Sequence, residues 1–282
     1  MNIISYIKFK IRKVVYTSIV LMFFLGCDNN SSTKKEINNS QKNSEKKNEI
    51  LYKHLKNGAW KYDLYSKEWQ TEIDKGLAKD STIAYLWQQK AMPLFKQAKY
   101  EVGMKFIDKA VKYDRIRWQD YRAYIKCIFA KTYKDAVNDF EDCKKRFGNN
   151  YVMDHTYNFY IGLCYLQLNQ FKKALHIFEK DYNETLKDKG ENWIHHLDLF
   201  YYGISKYEIG DYNGAILLFD KALKLYPQFS DVLYYKSKCL EKLNKLTEAN
   251  KIIKIAEDYA QKGYSINESG SPYERFPYQV RW

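Results

Sequence analysis

The sequence predicts an all-α protein whose body is a stack of helical hairpins. Three observations carry this. First, 12 Gly and 4 Pro in 282 residues are too few turn formers for an all-β chain of this size. Second, the chain is 45% hydrophobic and 29% charged, with a mean hydropathy of −0.63. That balance supports a packed body and excludes collagen-like, Pro/Gly-rich disordered and multi-span membrane classes. Third, small residues recur at Gly103, Ala136, Ala174, Ala215 and Ala249, at intervals of 33, 38, 41 and 34. Each is followed four residues later by a large one: Ile107, Phe140, Phe178, Phe219 and Ile253. A lone hairpin cannot bury its apolar face, whereas stacked neighbours bury a continuous core.

Residues 1–26 read as an address. Lys8, Lys10, Arg12 and Lys13 precede an apolar run, Val14 to Leu25, that ends at Gly26-Cys27. A basic start and a short apolar stretch make a secretory signal, and the run is short for a membrane span. Phe24-Leu25-Gly26-Cys27 resembles the lipobox of bacterial lipoproteins. The resemblance implies cleavage before Cys27 and lipidation of that residue, and multiple acyl chains make a stable anchor. An uncleaved signal-anchor helix is the alternative. The implied location is the cell envelope, anchored to a membrane (the outer one in a Gram-negative cell). Residues 27–50 are rich in Asn, Ser, Lys and Glu and hold no aromatic. They are expected to form a disordered tether, because they cannot bury enough apolar surface to offset ordering.

In residues 51–83, Trp69, Ile73 and Leu77 fall at helical spacing, and Asp80-Ser81-Thr82 reads as a turn and cap. This segment is a capping helix or a degenerate first repeat. Residues 84–262 hold the repeats. The clearest unit has Leu199, Tyr202-Gly203, Gly210-Asp211-Tyr212, Ala215-x3-Phe219, Ala222 and Pro227. It resembles the tetratricopeptide repeat. The next unit follows through Ser237, Leu240, Leu246, Ala249 and Ala256. Earlier ones carry Ile161-Gly162-x2-Tyr165 with Ala174-x3-Phe178, then Tyr133 with Ala136-x3-Phe140, then Trp87, Ala91 and Gly103. In the second unit, Ala123 or Tyr124 holds the close-packing position of the first helix. Pro93 is expected to kink its helix. The insertion Asn183 to Gly190 is a loop or an extended helix end. Phe140, Phe178, Phe219 and Ile253 are expected to fill the space between units.

The family resemblance implies a right-handed superhelix, an α-solenoid of about five hairpins. It also implies a concave groove lined by the first helix of each unit. Tyr85, Trp118, Tyr121, Phe159, Phe200, Tyr207 and Tyr234 would present aromatic surface there, which marks protein interaction sites. The alternative is that these rings pack against neighbouring helices or the tail. Gln88, Tyr121, Phe159, Phe200 and Tyr234 stand where some relatives hold a terminal carboxylate with cations, so no such capture is expected. Residues 263–282 end the helical pattern and carry Tyr273, Phe276, Pro277, Tyr278, Val280 and Trp282. This tail is expected to dock, either capping the last helix or serving as a partner-binding peptide.

The net charge is +13, and the signal holds four of those charges. The remaining basic residues are spread, which suits solvated helix faces better than nucleic-acid recognition. Cys127, Cys143, Cys164 and Cys239 fall within helical patterns and are expected to be buried free thiols, with a Cys127–Cys143 bridge left open. His195-His196 has poor chelating geometry, and no hydrolase or nucleotide-binding motif is present. The expectation is a non-catalytic scaffold without cofactor or metal. Its partners would be an envelope or secreted protein and the membrane, the latter through its anchor. Two alternatives remain: a glycan or peptidoglycan-fragment binder using Trp118 and Tyr121, and a neutralising partner of a secreted toxin.

Overall fold

The computed structural model describes residues 30–266 and 274–282, with side chains from residue 41 onward. The expected signal and Cys27 lie outside the described residues. The protein is all-α, with one two-residue β-ladder among the described residues. Two compact units divide the chain, the first ending at Arg115 and the second running from Ile116 to Trp282.

The first unit opens with α1, Asn30–Leu51. The expected tether is thus helical over most of its length. It holds neither Gly nor Pro, and its Lys, Glu and Gln are good helix formers. Its last turn is fixed, because Ile50 is buried in a cluster with Leu55, Ala59, Trp69, Ile73 and Leu86, and a docked end extends a helix at little further cost. A π-helical turn (Tyr52–Lys56) and a 3-10 turn (Ala59–Lys61) follow. Helix α2, Lys67–Lys79, starts where Ser66 Oγ accepts the Trp69 amide at 3.1 Å, and buries Trp69, Ile73 and Leu77. Asp80 forms the expected turn by accepting the Thr82 amide at 2.8 Å, but the next helix begins only after Ile83.

Helices α3 (Ala84–Lys96) and α4 (Tyr100–Tyr113) make the first hairpin. Pro93 lies within α3, and the helix continues to Lys96. A proline deprives the carbonyl four residues back of its helical donor. Here that carbonyl belongs to Gln89, and the Trp69 indole N–H donates to it at 3.3 Å.

The second unit holds four hairpins. They are α5 (Arg115–Ile128, its first residue closing the preceding unit) with α6 (Tyr133–Phe147), α7 (Tyr157–Gln167) with α8 (Phe171–Lys189), α9 (His196–Glu208) with α10 (Tyr212–Leu225), and α11 (Ser230–Lys242) with α12 (Leu246–Gln261). From α6 onward each second helix also packs on the first helix of the next hairpin. The Asn183–Gly190 insertion resolves as an extended helix end, α8 running on to Lys189. Between α6 and α7 the chain forms a small hairpin, β1 (Tyr151–Val152) against β2 (His155–Thr156), which the sequence pattern did not foresee.

All five hairpin turns share one backbone device. Ala98, Lys131, Asn169, Gly210 and Asn244 have φ of 56°, 57°, 54°, 84° and 59°. Each lies five residues before its small anchor residue. In four of them the next amide reaches back five residues, as from Lys99 to Leu94 and from Gln170 to Tyr165, both at 2.9 Å. This is the Schellman closure of a helix end.

The helices of a hairpin meet through the small residues. A Cβ on Gly162 or Gly203 would lie 2.5 Å from the ring of Phe178 or Phe219. Those phenylalanines come from the second helix of the same hairpin, so they fill space within units as well as between them. Phe178 also stacks on Tyr201 of the following hairpin, with centroids 6.3 Å apart. In the first hairpin the roles reverse, and Gly103 of α4 receives Phe95 of α3.

Candidate protein-binding face

The sequence-predicted groove residues separate into three groups. Phe159 and Phe200 have no exposed surface. Phe159 packs between His155, at 3.8 Å, and Tyr201, at 5.5 Å. Phe200 lies among Tyr201, Phe219 and Phe229. Neither ring is open to a partner, a correction to the expected aromatic wall. Trp118 is 7% exposed and makes an edge contact with Tyr121. It therefore offers no face on which a sugar ring could stack. Tyr121, Tyr207 and Tyr234 are half-buried in the second unit. Tyr85 is half-buried in the first unit and packs against its hydrophobic cluster.

What covers the first helices α9 and α11 is the tail. Residues 274–282 run from the end of α5 to α11. Lys131 pairs with Glu274 at 2.9 Å. Tyr201 Oη in α9 donates to the Pro277 carbonyl at 2.7 Å. Tyr278 Oη donates to Glu208 at 2.7 Å, and its ring packs on Tyr235, as Trp282 does edge-on to Tyr234. A turn closed by Gln279 N–H onto the Phe276 carbonyl at 3.2 Å shapes the segment. Tyr278 sits in it at φ 60°, an uncommon conformation for a bulky residue.

Asp231, in the first turn of α11, is the anchor. Its carboxylate is fully buried and accepts three hydrogen bonds, from Val280 N at 2.7 Å, Ser265 Oγ at 2.8 Å and Ile266 N at 3.0 Å. Burial pushes this carboxyl above its ordinary range, against the pull of its donors. The positive end of α11 favours negative charge at the same place. Gln279 Nε2 donates to the Ile266 carbonyl at 3.0 Å and closes the arrangement. Beside it lies a cavity of about 760 Å³, lined by Tyr234, Lys238, Glu257, Gln261, Arg281 and Trp282.

Sequence reasoning named Tyr234 in this face but missed Tyr201, Glu208 and Tyr235. Phe200 was chosen where Tyr201 makes the contact. One residue turns a helix by about 100°, so Phe200 points into the interior while its neighbour Tyr201 meets the tail.

Other polar residues have structural work. His195 caps α9, its Nδ1 accepting the Leu197 amide at 3.3 Å while Asp198 accepts the His195 amide at 2.9 Å. Asp139 is clamped by Arg122 at 2.6 Å and Lys126 at 2.8 Å. Desolvation raises that carboxyl, but the two cations win and hold it below the usual range. Cys127, Cys143, Cys164 and Cys239 are buried and free. The near neighbour of Cys127 is Cys164, with sulfurs 3.5 Å apart, not the Cys143 considered from sequence. Burial pushes the Cys143 and Cys239 thiols up to about 12, far from the reactive thiolate range. Among the described residues no three His, Cys, Asp or Glu side chains group as metal ligands, and no helix is long and apolar enough to cross a membrane.

Residues 207–264 match the profile of the family described as tetratricopeptide repeat. Solved structures share the fold. A tetratricopeptide repeat protein from Parabacteroides merdae aligns at 15% identity and TM-score 0.59, over 74% of this chain and 77% of that one. MamA from Desulfovibrio magneticus RS-1, residue 41 to the end, aligns at 13% identity and TM-score 0.53, over 64% and 96%. A MamA RS-1 double mutant aligns at 14% and 0.53, over the same shares. At these identities the likeness is one of fold. No curated protein matches the sequence.

Proposed function

We propose that this protein is a non-catalytic scaffold, lipid-anchored in the bacterial envelope, that binds another envelope or secreted protein. One observation supports the binding role above others. The first helices of the second unit hold a peptide segment through side chain–backbone bonds, Tyr201 to Pro277 and Asp231 to Val280. A surface that holds one segment of chain this way has the chemistry to hold another. Anchoring rests on Phe24-Leu25-Gly26-Cys27 and the basic, apolar run before it. The half-buried Tyr121, Tyr207 and Tyr234 are the predicted residues best placed to touch a partner.

Site-specific photocrosslinking in cells tests the binding role. A photoreactive aromatic residue at Tyr121 or Tyr207 is expected to give a discrete adduct. The same probe at Leu217, exposed on the second helix α10, should not. Equal adducts from both positions would remove the first-helix face from the proposal. Labelled fatty acid should enter the wild-type chain and not Cys27→Ser; equal labelling would refute the anchor.

A further inference from the structure

The tail is held differently from a cover over the last helix. A cap needs only to bury the outer face of α12. Residues 276–282 instead contact α9 and α11, the first helices of two successive hairpins. The bonds at Pro277 and Val280 engage main-chain atoms, which every peptide offers. The specific elements are the Pro277–Tyr278 turn, with its phenol on Glu208, and the apolar Val280 that follows. An open cleft of about 760 Å³ adjoins Trp282 between Tyr234, Lys238 and Glu257.

Resting on the protein-binding reading above, we propose that Tyr201, Glu208, Asp231, Tyr234 and Tyr235 form a binding site for a partner segment that carries a proline–tyrosine turn followed by an apolar residue. Residues 274–282 are the chain's own occupant of that site. A partner then competes with a covalently attached rival at high effective concentration, and its apparent affinity falls by the fraction of sites the tail leaves open.

The test uses full-length chains and a fluorescent synthetic peptide with the sequence of residues 274–282, read by anisotropy. Wild type should bind it weakly. The tail variant Tyr278→Ala/Val280→Pro/Trp282→Ala loses the phenol, the amide donor and the indole while leaving the seat intact. It should bind the peptide at least tenfold more tightly. Adding Asp231→Asn should reverse that gain. A tail variant of wild-type helicity and melting temperature that binds no better than wild type would overturn the proposal. If the tail variant does not fold, wild type alone decides. Saturating peptide should then speed hydrogen exchange at the Val280 amide, and unchanged exchange would overturn the assignment. Crosslinking at Tyr121 or Tyr207 that succeeds while these assays fail leaves a protein-binding scaffold whose site lies elsewhere on the first helices. Failure of that crosslinking with success here removes the partner role and keeps the tail's seat as an intrachain contact.

Discussion

Asp181 shows how single residues set the stability of the repeat. It is buried, with Oδ1 accepting from Asn149 at 2.7 Å and Oδ2 from Thr156 at 2.7 Å. Burial is the largest influence and the nearby Asp198 and Glu184 add to it, so the carboxyl is pushed up to about 6 despite those bonds. A raised folded-state value favours folding at low pH, and this contribution is lost as pH rises from the ordinary 3.8 through about 6. Asp181→Asn removes the charge. Urea unfolding should show the variant gaining about 1–3 kcal/mol over wild type at pH 7.5, and little or nothing at pH 4. The same difference at both pH values would contradict this. The left-handed turn residues give a second test. Gly210 adopts its φ freely, but Ala98 at φ 56° carries a Cβ into a disfavoured region. Ala98→Gly should raise stability by about 0.5–1 kcal/mol in thermal unfolding, as strain relief outweighs the added freedom of the unfolded chain. In the opposite direction, Gly203→Ala drives a methyl to 2.5 Å from Phe219 and should cost about 1–3 kcal/mol. A neutral result would show that Phe219 yields without strain.

At the scale of elements, the hairpins were legible because their packing depends on residue size. Small residues at Gly162 and Gly203 opposite large ones at Phe178 and Phe219, with Ala174 and Ala215 four residues before those rings, leave a periodic trace that survives insertions. The turn device was far less visible. Only Gly210 and the two asparagines suit φ > 0, while Ala98 and Lys131 do not. The β-hairpin before α7 was illegible because long-range contacts hold it, Thr156 and Asn149 on Asp181. Likewise Pro93 marked a break by its chemistry, but nothing in the pattern showed that Trp69 supplies the missing donor. That compensation is testable by a double-mutant cycle. Trp69→Phe leaves the Gln89 carbonyl without its indole partner and should cost about 1–3 kcal/mol. In a Pro93→Ala background the restored helical amide serves that carbonyl, so the same change should cost about 1 kcal/mol less. Strict additivity would show that the indole bond does not compensate for the proline.

For the whole molecule, a helical repeat carries an occupied face, and the proposed anchor would hold both at a membrane. The fold class was readable from composition and spacing alone, since both report how an all-α chain buries itself. The face was readable only in outline. The family resemblance placed aromatic residues on the first helices, but the phase of the helix decides whether a ring points inward, as Phe200 does, or toward the tail, as Tyr201 does. The role of Asp231 required knowing where residue 280 returns, a contact spanning 49 positions that no local pattern records. The central claim is that the second unit presents a peptide-holding face and that the tail sits on it. Hydrogen exchange of the full-length wild-type chain tests this most directly at the Val280 amide. The account predicts protection comparable to amides inside α11, and its loss in Tyr278→Ala/Val280→Ala/Trp282→Ala. Exchange at the open-chain rate in wild type would show an empty face and contradict the account.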